Sequence, residues 1–231
     1  MRKGEAKTEI NAYGLRALRS THSEIRKLKR RYQPAFHGFR IWPSSWLLIH
    51  FLRQHGMRKG LRVMEVGCGW GLAGIYCAKQ FEATVTGVDI DAGVFPFLKI
   101  HARINDVCVN TIQTGFDGIT EEDLEETDVL IGSDICFWDT LEGSLKGLIT
   151  RAMAKGVQVL IADPGRSPFD SLGDHFVDEG NGDFFDYTLN QPHPIQGRIL
   201  RIGCLPSSGV SRDEGGISSN RMGRDTSGGA R

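Results

Sequence analysis

The stretch Val63-Met64-Glu65-Val66-Gly67-Cys68-Gly69-Trp70-Gly71-Leu72-Ala73-Gly74 constrains the fold more than any other part of the sequence. An apolar run passes directly into closely spaced glycines and then into residues that suit a helix. Glycine accepts a left-handed backbone and has no Cβ. Such a junction can therefore turn sharply from strand to helix and let a ligand lie against its backbone. A plain tight turn needs one glycine, whereas this stretch carries four.

Helices and strands keep alternating on either side of the glycines. Residues 62–66 read as a short apolar strand, 71–79 as a helix, 83–88 as a strand and 94–105 as a helix with apolar residues at helical spacing. Residues 111–114 read as a strand, 129–133 as a buried strand, 141–154 as a helix and 157–162 as another buried strand. This alternation predicts an α/β fold, a parallel sheet covered by helices on both faces. Residues 184–189 and 198–202 have no helix-length segment between them and read as an antiparallel pair at one sheet edge.

Upstream, residues 1–32 read as a helix with a charged end, Arg26-Lys27-Leu28-Lys29-Arg30-Arg31, broken by Pro34. An aromatic-rich loop follows, after which Ser44 or Ser45 can cap a helix running from near Trp46 to Gly56. From Pro206 the composition collapses into Gly, Ser and Arg, which predicts a disordered tail. The expected organisation is a basic helical arm over 1–33, one α/β domain over 34–204 and a tail over 205–231. The length suits a single such domain.

Net charge is zero, but its distribution is uneven. Residues 1–31 hold ten Lys/Arg and three Glu, whereas 32–204 hold 14 basic and 22 acidic residues. A basic arm on an acidic body can steer an anionic partner, or be no more than a solvated helix face. The five cysteines form no CxxC pair and do not cluster with histidine, so neither a disulfide framework nor a metal site is expected, and a cytoplasmic setting fits. No apolar run is long enough to span a bilayer and the N-terminus has no secretory h-region, so no membrane association is expected.

Two acids bear on the ligand of the glycine loop. Gly69, Gly71 and Gly74 satisfy the GxGxxG spacing of dinucleotide sites, which by itself fits NAD. Glu65, at the strand end two residues before Gly67, argues against a pyrophosphate. A carboxylate there repels an anion and favours the sulfonium and ammonium of S-adenosylmethionine (SAM). The same carboxylate can also accept N–H bonds from the loop, and the two roles are compatible. Asp89 ends the next strand about 20 residues on, where an acid accepts ribose hydroxyls of either cofactor. Asp91 suits a helix cap.

Glu65-Val66-Gly67-Cys68-Gly69-Trp70-Gly71 resembles the E/D-x-G-x-G-x-G motif of seven-β-strand SAM-dependent methyltransferases, and the resemblance covers about residues 34–203. It implies a doubly wound, Rossmann-like seven-stranded sheet, mostly parallel with an antiparallel final strand. Glu65, Gly67, Cys68, Gly69, Gly71 and Asp89 would then surround the cofactor. Asp134-Ile135-Cys136-Phe137 resembles the D/E-x-x-Y/F element of a group rich in protein-lysine methyltransferases, and Trp42-Pro43 resembles a Trp-Pro element of the same group. The likeness implies that Trp42 flanks the cofactor, that Ser133 lines its pocket, and that Phe116 or Asp117 lies beside the adenine. It also implies that Asp134 and Phe137 act at the reacting amine, with Trp138 on the substrate side. Asp163-Pro164-Gly165-Arg166 is similar to a segment of electron-transfer-flavoprotein lysine methyltransferases and their bacterial relatives, which places Asp163 and Arg166 on the substrate side too.

The NPPY-type tetrad of enzymes that methylate planar nitrogens is missing, and no cysteine pair suggests carbon-5 methylation. Cys136 lies between apolar neighbours, which makes it inert. The expected activity is N-methylation of a protein lysine or similar amine. A small molecule or RNA as acceptor, an NAD-dependent oxidoreductase, and a noncatalytic partner protein that keeps the SAM fold are the alternatives.

Overall fold

A computed structural model describes residues 8–35, 38 and 40–203. The expected tail over 205–231 and the first seven residues of the expected arm lie outside them. A hairpin, β1 (Glu9–Ala12) and β2 (Leu15–Leu18), is followed by α1 (Ser23–Arg31) and α2 (Ser44–His55). Then come β3 (Arg62–Val66), α3 (Leu72–Phe81), β4 (Thr84–Asp89), α4 (Phe95–Ile104), β5 (Asn110–Gln113) and α5 (Glu121–Glu125). The chain continues through β6 (Val129–Ser133), α6 (Asp139–Ala154), β7 (Gln158–Asp163), α7 (Ser167–Asp178), β8 (Gly182–Leu189) and β9 (Ile195–Ile202).

Seven strands form one sheet in the order β5-β4-β3-β6-β7-β9-β8. Its first five strands run parallel, and β9 runs antiparallel to both β7 and β8. The central strands are buried on both faces, and their successive side chains alternate between two cores. Val63, Val85, Val129, Ile131, Leu160 and Ala162 join one core with α2 and α3. Met64, Val66, Val88, Leu130, Val159 and Ile161 join a second core with α6 and α7. Both faces are thus covered, as a parallel sheet requires. The strand order reverses between β3 and β6, so the crevice at a doubly wound sheet's switch point opens beside Gly67 and Asp134.

The N-terminal segment departs from the expected helix. Over the described residues it is a hairpin and then a nine-residue helix. Tyr13 and Gly14 both have positive φ, at 54° and 77°, the signature of a two-residue turn that matches strand twist. Leu15, Ala17 and Leu18 of β2 are buried. Side chains of α4 and of its C-cap residue hold β2 by its backbone. The Leu18 N–H donates to His101 Nε2 at 3.0 Å, and His101 Nδ1 lies 2.7 Å from the Phe97 carbonyl. That pairing fits the neutral ring with its proton on Nδ1, and burial lowers the His101 pKa to about 4. Asn105 accepts from the Arg16 N–H at 2.9 Å and donates to the Arg16 carbonyl at 2.8 Å, as a neighbouring strand would. Asn105→Ala is therefore expected to cost about 2 kcal/mol by leaving both groups unpaired. Hydrogen exchange at β1 and β2 should accelerate ahead of the central strands; equal acceleration everywhere would contradict this docking.

Two further differences are local. Helix α7 has no counterpart among the elements expected from the sequence. Its Pro168 stands in the first turn, where a missing N–H costs nothing, and Phe169, Leu172 and Phe176 form its buried stripe. Helix α2 starts at Ser44 and has no side-chain cap from either serine. The Ser44 N–H instead donates to the Asp134 carboxylate at 3.0 Å, so an acid from beyond β6 serves the helix terminus.

Candidate active site

The glycine loop leaves β3 with Gly67, Gly69 and Gly71 all in the left-handed region, at φ 57°, 50° and 72°. Space is closed around two of them. A Cβ on Gly67 would come 2.5 Å from Ile135 Cγ2, and one on Gly71 would come 2.7 Å from Leu98 Cγ. At Gly69 a Cβ would meet nothing within 4 Å, so this glycine faces open space. Gly74 lets α3 settle on the sheet, where a Cβ would lie 2.6 Å from Glu65 Oε2.

That open space is a cavity of about 510 Å³. Gly67 and Gly69 form part of its wall, with Asp89 at the end of β4, Phe116 and Asp117 after β5, Ser133 at the end of β6 and Asp134 just beyond it. Trp42, Phe137, Trp138 and Arg166 also line it. Four residues expected near the ligand do not: Glu65, Cys68, Gly71 and Asp163 are absent from the lining.

Their positions explain why. Glu65 is 2% exposed and lies behind the loop, where its Oε2 accepts the Gly74 N–H at 3.0 Å. It braces the start of α3 and does not stand at the mouth of the crevice. Burial raises its pKa to about 8, which the Gly74 and Ala73 N–H groups only partly offset. Cys68 is buried, with its thiol pKa pushed well up by burial, and its N–H bonds the Val88 carbonyl at 3.0 Å. Gly71 is the left-handed cap residue just before α3 and packs on Leu98. Asp163 is fully buried behind Arg166.

The raised Glu65 pKa has a sign that can be checked. Between the ordinary 4.5 and about 8 the folded carboxyl keeps a proton that the unfolded chain has released. Its contribution to stability is therefore complete below the unfolded value and is lost as pH rises through about 8. Glu65→Gln keeps an acceptor for Gly74 and cannot ionise. The ligand-free parent should lose more melting temperature than the variant between about pH 5 and about pH 8; parallel curves would contradict the assignment.

Asp89 is held by the loop it faces. Its Oδ2 accepts the Gly69 N–H and its Oδ1 the Asp91 N–H, each at 3.0 Å, and burial raises its pKa. Asp91 caps the turn before α4 by accepting the Gly93 N–H at 2.8 Å, as expected of it. Asp117 accepts from Ser144 Oγ of α6 at 2.8 Å, and Arg151 of the same helix donates to the carbonyls of Phe116 and Ile119.

On the other wall, Asp134 stands at φ 59°, a left-handed conformation that Asp tolerates better than most residues. Its side chain is 2% exposed. Arg166 donates to Asp134 Oδ1 at 2.6 Å and to Asp163 Oδ2 at 2.7 Å, clamping the two acids together. Asp163 Oδ1 accepts the N–H groups of Gly165 and Arg166, and burial raises its pKa to about 6 against the pull of the guanidinium. Ile135 turns back over Gly67 and Gly132, closing the gap between the two halves of the crevice. Phe137 and Trp138 meet edge to face with centroids 4.6 Å apart, and Trp138 is 45% exposed at the rim. Arg40 stacks on Trp42, 4.0 Å from the ring centroid. Trp70 takes the loop's remaining large side chain into the core, stacked on Phe97, and its Nε1 donates to the Gly38 carbonyl at 2.9 Å. That bond ties the segment bearing Trp42 to the glycine loop.

Sequence reasoning missed several contributors. Ile90 directly follows Asp89, lines the cavity and is 57% exposed. Ser144 and Arg151 stand seven residues apart, hence on one face of α6 toward the cavity wall. Ser45 Oγ reaches Ser133 Oγ at 3.0 Å. Among the described residues three acids, Asp89, Asp117 and Asp134, line the cavity against one cation, Arg166. Glu65 does not face the cavity, so the charge of its lining comes from these side chains.

Among solved structures, a methyltransferase from Pyrococcus furiosus superimposes with a TM-score of 0.55 at 17% identity, over 79% of this chain and 98% of that one. This supports the fold alone. The electron transfer flavoprotein beta subunit lysine methyltransferase of Danio rerio is 27% identical over 131 residues, 56% of this chain and 50% of the relative. The calmodulin-lysine N-methyltransferase of Arabidopsis thaliana is 27% identical over 165 residues, 67% of this chain and 53% of the relative. The chain thus spans about half the length of the curated relatives it matches. A family model described as lysine methyltransferase matches residues 28–179, more than half of the sequence and every strand from β3 to β7. The chain belongs to the lysine methyltransferase family.

Proposed function

We propose that the chain transfers a methyl group from SAM to the side-chain amine of a protein lysine. The observation that carries this reading is one cavity that joins the glycine loop to Asp134 and the Phe137–Trp138 pair. Its volume suits a nucleoside-sized ligand. The residues fit SAM: the open face of Gly69 admits a ligand against the backbone, and Asp89 offers lone pairs to ribose hydroxyls. The acidic lining favours a sulfonium over a pyrophosphate, which speaks against the NAD alternative.

When bound, SAM supplies a methyl group on a positively charged sulfur, which leaves as a neutral thioether. The chain's own task is alignment in a partly dry space. Gly67, Gly69, Asp89 and Ser133 hold the cofactor, Trp42 flanks it, and Phe116 or Asp117 lies beside the adenine. Glu65, Cys68 and Gly71 serve by shaping the loop. Asp134 receives the incoming ammonium. Arg166 and Ser44 each occupy one position on its carboxylate, and each oxygen keeps a second lone pair for the substrate. Arg166 and Asp163 position Asp134, while Phe137 and Trp138 form apolar walls for the lysine stem. The amine loses its proton to water before transfer, since only the neutral form is nucleophilic.

Among the described residues no helix is long and apolar enough to cross a membrane. Cys68, Cys77 and Cys136 are buried free thiols, which fits a reducing compartment such as the cytoplasm. The test is incubation of the full chain with methyl-tritiated SAM and a cell lysate, untreated or acetylated beforehand on its amines. Label should enter protein and disappear after acetylation. Label that survives acetylation, enters RNA or small molecules, or goes nowhere would overturn the proposal in favour of another acceptor or a noncatalytic role.

A further inference from the structure

A second cavity, of about 350 Å³, lies between α1 and α4. Lys27 and Arg31 approach it from one helix and Lys99 and Arg103 from the other, with Glu24 as the single acid in its lining. Glu24 is already engaged by Lys27, Nζ to Oε1 at 2.8 Å. Among the described residues no carboxylate lies within ion-pair distance of Arg31, Lys99 or Arg103. Three cations therefore converge on one hollow with no carboxylate paired to any of them, Glu24 acting on Arg103 only from a distance. Leu28, Pro96 and Ile100 give the hollow an apolar floor.

We infer that this groove docks an acidic segment of the protein whose lysine is methylated. The inference rests on the lysine reading above for what the docked chain is, though not for the binding itself. Carboxylates spaced along an extended chain can meet cations presented by two helices, while their methylene stems lie on Leu28 and Ile100. A single-stranded nucleic acid would want flat rings for its bases, and among the described residues no aromatic side chain lines the groove. Few residues of sequence separate the groove from the active site. Arg31 ends α1, the Ala35 N–H is held by Asp91, and Gly38 lines the catalytic cavity. A partner seated in the groove would thus bring neighbouring residues toward the cavity holding Asp134.

The test uses the full chain, fluorescein-labelled hexaglutamate and a labelled oligouridylate of matched charge, read by anisotropy without methyl donor. Hexaglutamate should bind, weaken as NaCl is raised, and bind the double variant Lys99→Glu/Arg103→Glu at least about tenfold less tightly. SAM affinity of the variant should match the parent and so report an intact fold. If the reversal unfolds the chain, Lys99→Gln/Arg103→Gln should show the same loss in smaller degree. Undiminished hexaglutamate binding by a folded variant would overturn the inference, as would oligouridylate binding more tightly and being the ligand lost. Because no methyl is transferred in this assay, its failure leaves the lysine reading standing, and failure of lysine transfer leaves this result unmoved.

Discussion

Asp134→Ala should slow methyl transfer about 100-fold or more while SAM affinity stays within about threefold of the parent. The reason is a division of labour across the cavity. The glycine loop and Asp89 lie at the ends of β3 and β4, whereas Asp134 sits beyond β6, on the wall the proposal assigns to the acceptor. Its carboxylate receives Arg166 and the first N–H of α2, so its direction is set before any acceptor binds. Removing it also costs stability, by about 3 kcal/mol for a buried charge partner, although Arg166 retains Asp163. Melting curves with and without SAM separate that loss from the kinetic one. Asp134→Asn retains the shape and the Ser44 contact. If it recovers stability without recovering rate, the charge is what transfer requires. A parent-like rate in either variant would remove Asp134 from the mechanism.

Gly67→Val should unsettle the crevice itself. At φ 57° a β-branched residue is strained by about 1–2 kcal/mol. Its Cβ would also press on Ile135 Cγ2 at 2.5 Å, adding about 1–3 kcal/mol. A chain of this size loses about 2–4 °C of melting temperature per kcal/mol, so a fall of roughly 10 °C is expected. SAM affinity should drop at least about 100-fold, because Gly67 and the displaced Ile135 both line the cavity. Adding Ile135→Ala should return part of the stability but not all, since the backbone strain remains. Full recovery, or none, would contradict the two-part origin.

The central α/β unit was legible because its constraints are local. Strands buried on both faces read as apolar runs, and a ligand-bearing turn reads as clustered glycines. Asp89 and Asp134 were legible for a related reason: a carboxylate directly after a buried strand needs a task. The N-terminal hairpin was not, because the forces that hold it come from elsewhere. Asn105 and His101 supply its hydrogen bonds from 80 or more positions away. Only Tyr13-Gly14 marked the turn. Helix α7 did carry a pattern, Phe169, Leu172 and Phe176, but Pro168 and Gly173 within it obscured the periodicity. Gly173 is required there by the Phe184 ring, which a Cβ would strike. Glu65 shows the opposite failure. Its position in the motif was plain, yet one dimension cannot say whether a side chain faces a crevice or the loop's underside. The Arg166 clamp was likewise invisible, since it joins residues that follow two different strands.

Where the methyl group lands is the most direct measure of the whole account. Protein labelled by the full chain with methyl-tritiated SAM can be hydrolysed to amino acids and chromatographed beside methylated standards. Co-elution of the label with methylated lysine is the predicted result. Label recovered as methylarginine, methylhistidine or methanol released from an ester would contradict it.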